Sequence, residues 1–326
     1  MFKLTRNPDV YHGENKKGSF FEGWYFKIVH PKGKYTYCFI PGIFISSKEG
    51  YSHSFIQVVK GHEAAFKYLK YDKEGFRASN SDFNIIVGES SFSLDEINLN
   101  IQRQDEKILG RLVFKNIVKW PDNIINPGSM GFYNYLNFMQ CYSQVCAVDG
   151  DIEGSLNIDG SEIDFKGGKV YIEKNWGKAF PYSYIWLQGN TFEKENAALT
   201  CSIGHVPFPV SSFTGFLIGM YAKEMFYKFT TINRSLLSVA CEEEKIILKT
   251  HNKEASLKII AEYDNKTFID LYAPHDYNMV PLARETLQGK LQVTLYDKKK
   301  AITVLNESCS FAGIEMAGNY RSLYDR

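Results

Sequence analysis

The chain has 326 residues, enough for two domains or one large β unit. Hydrophobic residues make up 44% and charged residues 23%, a globular balance, while Lys and Arg (38) offset Asp and Glu (37) to leave a formal charge of +1. So small a net charge supplies no overall field to gather nucleic acid or an anionic membrane, and nucleic acid is not expected as a partner.

The opening MFKLTRNPDV lacks an apolar core, so no secretory signal is expected. The six cysteines are scattered, with no CxxC pair and no histidine at zinc-ligating spacing. Both points predict a cytoplasmic protein with reduced thiols and no metal. The first strong strand is Phe20 to Val29, FFEGWYFKIV. Side chains alternate along an extended chain, so Phe20, Glu22, Trp24, Phe26 and Ile28 share one face. A carboxylate among Phe and Trp has to pair, find donors or keep its proton. The plainer alternative for Glu22 is a barrel-rim residue bonded to backbone amides.

After a turn at His30 to Gly33, Tyr35 to Ile40 returns as a strand. Ser52 to Lys60 is another, with His53, Phe55, Gln57 and Val59 on one side. His53 reads as a hydrogen-bonded structural residue or as cavity lining. Shorter runs follow at Ala64 to Tyr71, Phe83 to Val87, Ser91 to Leu94, Ile97 to Gln102 and Ile108 to Phe114, punctuated by Gly, Asn and Asp. Trp120 to Pro127 reads as a loop. Met130 to Ala147 fits a short helix or a strand, and its aromatics with Val145 favour the strand. Asp151 to Phe165 is a hairpin turning at Asp159-Gly160.

The stretch from Gly167 to Phe192 reads strand, loop, strand. In its second half Tyr184, Trp186, Gln188 and Asn190 share one face and Ile185 and Leu187 the other. Trp, Gln and Asn together suggest a lined cavity or, equally, a satisfied polar cluster in a sandwich core. Strands continue from Ala198 to Tyr272, and Leu287 to Tyr296 with Ala301 to Glu307 closes the chain as a hairpin. Lys223 to Tyr227 is the other stretch where a helix is weighed. Ala197 to Ala222 is the longest uncharged run, but His205, Pro207 and its glycines make it too polar and broken to span a bilayer as a helix.

About twenty short antiparallel strands are too many for one small barrel. Edge strands need covering, so the expected fold is all-β, with two antiparallel barrels packed side by side. The division is placed near residue 150, giving residues 1–150 and 151–326.

Several segments resemble the tocopherol cyclase family: FEGWYF (Phe21 to Phe26), YIEKNWGKAFP (Tyr171 to Pro181), YIWLQGNTFE (Tyr184 to Glu193), GKLQVTLYD (Gly289 to Asp297) and GIEMAG (Gly313 to Gly318). Their order and separations extend the resemblance over nearly the whole chain. It implies a pair of lipocalin-like (calycin-like) barrels and proton-initiated closure of a prenylated hydroquinone to a chromanol, an isomerisation with no external cofactor. The family pattern has a Glu and a His before Ala147, where this chain has Gln140, Cys141, Tyr142 and Ser143.

Such a cyclisation needs a proton donor, expected to be a carboxylic acid kept neutral by an apolar setting. Glu22 and Glu173 are the candidates, Glu173, directly before Lys174, also reading as a structural residue that holds a buried ion pair. Trp24, Trp176 and Trp186 are expected to line the cavity and steady a cation. Gln188 and Asn190 are expected to hold the quinol oxygens, with His53 and Gln140 in the substrate wall. An elongated apolar pocket beside Trp176 and Trp186 is expected to take a hydrophobic small molecule. Turnover and simple carriage of an apolar metabolite both fit, and peripheral contact with a membrane surface is left open.

Overall fold

The computed structural model describes residues 7–16, 18–208 and 211–323; residues 1–6, the basis for expecting no secretory leader, lie outside them. Period-two patterning runs through the chain, and strands dominate, with helix limited to short 3-10 turns among the described residues. Contacts divide the chain into two compact units. One runs to Lys60 and takes in Ala65–Phe180 and Tyr272–Val280. The other holds Gly61–Ala64, Pro181–Leu271 and the chain from Pro281 on.

The first unit begins with β1 (Phe20–Val29), β2 (Thr36–Ile45), β3 (His53–Lys60), β4 (Ala65–Tyr71), β5 (Phe76–Ala78), β6 (Asn84–Val87) and β7 (Ser90–Ser93). It continues through β8 (Glu96–Arg103), β9 (Glu106–Val118), β10 (Cys141–Ala147), β11 (Asp149–Ile158), β12 (Ser161–Asp164) and β13 (Lys169–Gly177). The spatial order is β4-β3-β2-β1-β13-β11-β9-β8-β7-β6-β5, with β10 beside β13 and β12 beside β11. This sheet curls until β6 approaches β2 and β3. Its inward face packs Phe26, Phe39, Ile56, Val58, Val87 and Leu112 into one core. The division expected near residue 150 falls inside this sheet, because β11 pairs with β9 and β13 pairs along its length with β1. The boundary lies at Phe180 and Pro181 instead.

The second sheet contains β14 (Tyr184–Gly189), β15 (Ala197–Phe208), β16 (Ser211–Ala222), β17 (Met225–Thr230) and β18 (Leu236–Glu242). It also contains β19 (Lys245–His251), β20 (Ala255–Glu262), β21 (Ile269–His275), β22 (Asn278–Asp297) and β23 (Ile302–Ala317). The order is β17-β16-β15-β14-β23-β22-β20-β19-β18, and β21 pairs with β22. Ile185, Leu187, Leu199, Ile218, Leu248 and Val293 build its aliphatic core. A cluster of buried apolar side chains thus occupies the inward face of each curled sheet.

Turn chemistry settles two ambiguous stretches. Lys223 and Glu224 both have positive φ (48° and 60°) and form a two-residue hairpin turn, since Ala222 pairs with Met225. No helix forms there. Met130 to Ala147 splits into a 3-10 turn, Gly131–Tyr135, and strand β10. Among the described residues no helix is long and apolar enough to cross a membrane. No group of three or more His, Cys, Asp or Glu there is placed to hold a metal ion.

Candidate active site

Three adjacent strands set the site by register. β13 lies between β1 and β10, pairing Trp176 with Glu22 on one edge and with Tyr142 on the other. Two residues earlier, Lys174 pairs with Trp24 and with Gln144. Residues paired across antiparallel strands project to the same face. That face also carries Val170 and Ile172 and is the inward one. Two cross-strand rows, Glu22–Trp176–Tyr142 and Trp24–Lys174–Gln144, therefore stand at one end of the curled sheet. Gly177 ends the EKNWG run with φ +148°, where a Cβ would collide with the Gln140 carbonyl.

Glu22 and Lys174 are each 0% exposed, with Lys174 Nζ 2.6 Å from Glu22 Oε1. Residues 8–12 cross this end of the sheet and complete the arrangement. Lys174 Nζ donates to the carbonyls of Pro8 (3.0 Å) and Val10 and lies 2.8 Å from His12 Nδ1. The His12 backbone N–H donates to both Glu22 oxygens at 2.9 and 3.1 Å. Gln144 anchors the same segment through Asp9 Oδ1 at 2.7 Å. The His12 ring lies parallel to Trp176 at 4.4 Å, and Tyr142 stacks on the same indole at 5.2 Å. Lys174 Nζ sits 4.5 Å from the Trp176 ring centre and 5.2 Å from that of Trp24.

Burial pushes the Glu22 carboxyl upward, but the Lys174 ammonium and the His12 contacts outweigh it and hold it below its ordinary value of 4.5. Burial also pulls the Lys174 ammonium down, against the attraction of Glu22. An ammonium has no lone pair, so His12 Nδ1 at 2.8 Å acts as acceptor and the ring proton resides on Nε2. Of the three groups, only His12 lines the adjoining cleft.

Glu22 also sets a pH dependence. A carboxyl whose folded value is depressed contributes stability above its unfolded value and loses it as pH falls through the folded one. Urea midpoints measured from neutral to acid pH are expected to hold steady above about 4.5 and fall below it. Glu22→Gln is expected to start lower at neutral pH and to show a shallower acid fall. An unchanged acid slope in the variant would remove Glu22 as the group responsible.

The cleft has a volume of about 550 Å³. Its walls include His12, Phe20, Met139, Tyr142 and Trp176, with Lys16 and Lys178 among the polar residues. Aromatic walls with a few placed polar groups suit an apolar ligand that carries a polar head.

Glu22 faces inward, as its alternation predicts, but it is ion-paired and ionised; the neutral acid expected there is not what the packing builds. Glu173 lies on the opposite face of β13 from Lys174. Its oxygens accept from Tyr171 Oη (2.5 Å), Ser143 Oγ (3.1 Å) and Asn175 Nδ2 (3.2 Å). The buried ion pair expected of it belongs to Glu22. Trp24 is buried behind Lys174, and only Trp176 of the three expected tryptophans lines the cleft. Trp186, Gln188 and Asn190 belong to the second unit, on the face of β14 away from its aliphatic core. There Gln188 Nε2 donates to Asn190 Oδ1 at 3.2 Å, and the Trp186 ring leaves no room for a Cβ at Gly313. None of these three lines the cleft.

His53 is held between the Tyr51 carbonyl and the Tyr68 hydroxyl, both at 2.7 Å, and burial lowers its pKa toward a neutral ring. Gln140 donates to the Phe180 carbonyl at 3.2 Å and does not line the cleft. Sequence reasoning missed His12, Lys174 and Tyr142. Lys174 shares the face of Trp176 by simple alternation, so its inward position was within reach. His12 lies in an irregular segment with no periodic signal.

A family model described as tocopherol cyclase-like matches residues 102–318. The chain is 22% identical over 373 residues to a protein of Oryza sativa subsp. japonica described as a probable chloroplastic tocopherol cyclase. That match spans 97% of this chain and 79% of the rice protein. The crystal structure of CghA with Sch210972 superposes with a TM-score of 0.54 at 8% identity, covering 92% of this chain and 89% of that one. Kievitone hydratase from Nectria haematococca gives 0.52 at 11% identity, covering 95% and 93%. At such identities the structural likeness establishes the fold, a lipocalin-like pair of curled antiparallel sheets.

Proposed function

Since the chain belongs to the tocopherol cyclase-like family, we propose that it is a cyclase or hydratase that protonates an alkene of an isoprenoid or prenylated quinol held against Trp176. The observation that carries this reading is His12, which lines the cleft while its Nδ1 lies 2.8 Å from the buried Lys174 ammonium. A proton passes from Lys174 Nζ to His12 Nδ1 as the Nε2 proton passes to the alkene carbon. The tertiary cation so formed faces the rings of Trp176 and Tyr142, each worth roughly 0.5–2 kcal/mol to a nearby positive charge. A phenol oxygen then bonds to the cation and releases its proton to Nε2, which restores Lys174 through Nδ1. While the proton is on the substrate, the Glu22 carboxylate leaves the cluster with one negative charge that offsets the substrate cation, and the return of the proton to Lys174 restores the ion pair. If water reaches the cation first, the product is the tertiary alcohol, so exclusion of water separates cyclase from hydratase.

A second reading, carriage of an apolar metabolite without turnover, is favoured by the ionised state of Glu22, which leaves no neutral carboxylic acid at the cleft. One experiment separates the two. The protein is incubated with a prenylated hydroquinone, and the extract is resolved by chromatography and mass spectrometry. An isomeric chromanol, or a product heavier by one water, is the expected result. Quantitative recovery of bound, unaltered quinol at every pH tested would leave carriage as the function.

A further inference from the structure

Thirteen large apolar side chains stand exposed among the described residues, and five of them fall within residues 124–138. Ile124 and Ile125 are 75% and 76% exposed, and Phe132, Tyr135 and Phe138 join them. Residues 120–140 contain a single charged side chain, Asp122, and its carboxylate accepts the Gly128 N–H at 2.7 Å. This concentration exceeds the scattered apolar exposure normal for a soluble surface.

The excursion is a built element. Asn123 Oδ1 accepts from the N–H groups of Ile125 (3.0 Å) and Asn126 (2.9 Å), which presents the two isoleucines at a tip. Asn134 Nδ2 donates to the Pro127 carbonyl at 2.6 Å, and the Ser129 N–H donates to Gln144 Oε1 at 2.9 Å. The tip is continuous with the cleft. The Tyr135 hydroxyl donates to the Ile124 carbonyl, and Tyr135, Leu136 and Met139 line the cleft. Two exposed lysines, Lys16 and Lys178, line it as well. An exposed aliphatic tip joined to a cleft that carries ammonium groups matches the boundary between acyl chains and anionic headgroups. On a chain of formal charge +1, that placement of cations is local and not a product of overall charge.

We propose that residues 124–138 dock on a lipid surface bearing anionic headgroups. Ile124 and Ile125 enter the acyl boundary, Lys16 and Lys178 rest among the phosphates, and the cleft opens at the lipid. This inference rests on the loop and the two cleft lysines and is independent of the reaction.

The test floats the full chain with vesicles of phosphatidylcholine alone or of phosphatidylcholine with a third phosphatidylglycerol, at low and high salt. Binding is expected to favour the anionic vesicles and to weaken as salt screens the lysines. Ile124→Ser with Ile125→Ser is expected to lower partitioning by about tenfold or more, given the apolar area withdrawn from lipid, with an unchanged thermal melt. Lys16→Ala with Lys178→Ala is expected to abolish the preference for anionic vesicles. Equal partitioning of the isoleucine variant, no partitioning of wild type into either vesicle, or an anionic preference that survives loss of both lysines would overturn the proposal. So would a vesicle-independent dimer dissolved by the isoleucine substitutions, which would assign the tip to a second copy of the chain.

Discussion

Replacing Lys174 with Met is expected to destabilise the first unit by about 3–5 kcal/mol, the cost of leaving a buried charge without its partner. Glu22 is 0% exposed, and the donor left to it is the His12 backbone N–H. The substitution also strips the donor from the Pro8 and Val10 carbonyls, so the segment carrying His12 loses its anchor. Urea unfolding followed by tryptophan fluorescence reads this directly, because Trp24, Trp120 and Trp176 all lie in the first unit. The double variant Glu22→Gln with Lys174→Met is expected to regain a large part of the loss, since no charge is then stranded. A single-variant loss below about 1 kcal/mol, the range of exposed pairs, would show that water screens the pair.

Replacing His12 with Gln is expected to cut turnover of a prenylated quinol by about 10²–10⁴, the usual contribution of a positioned proton-transfer group. Stability is expected to change little. The backbone N–H that serves Glu22 remains, and Lys174 keeps its carboxylate and carbonyl acceptors. The contrast with Lys174→Met is what makes the pair of variants informative: one disables the chemistry of an intact site, the other dismantles the site. Glu173→Gln serves as the comparison. Glu173 lies on the far face of β13 among Tyr171, Ser143 and Asn175, and its loss is expected to leave the rate per folded molecule unchanged. Full turnover in His12→Gln, or a collapse of turnover in Glu173→Gln, would remove the relay as the proton source.

Local pattern carried much of the fold. The alternation in FFEGWYFKIV placed β1 and turned Glu22 inward, and Asp159-Gly160 marked a hairpin that the structure shows with φ of 51° and 88° at those residues. What local pattern could not supply was the pairing of β1 with β13, strands separated by most of the first unit. Without that pairing Glu22 looked like a lone acid, although its partner was one residue away from the glutamate chosen as the second candidate. The faces of β14 illustrate a second limit. Trp186, Gln188 and Asn190 looked like a cavity wall, yet Ile185 and Leu187 match the aliphatic side chains of the neighbouring strands and take the core side. Alternation separates two faces; it does not say which one the rest of the sheet will claim.

Segments ahead of a first strand are ordinarily the loosest part of a domain. Here that segment brings the imidazole and two of the acceptors that steady the Lys174 ammonium. A molecule with residues 8–12 peeled away would keep its sheets and its Glu22–Lys174 pair while lacking the only member of the cluster able to hand a proton onward. Under the proposed relay, competence arrives with the seating of a few irregular residues, much as a finished lock does nothing until its key is turned.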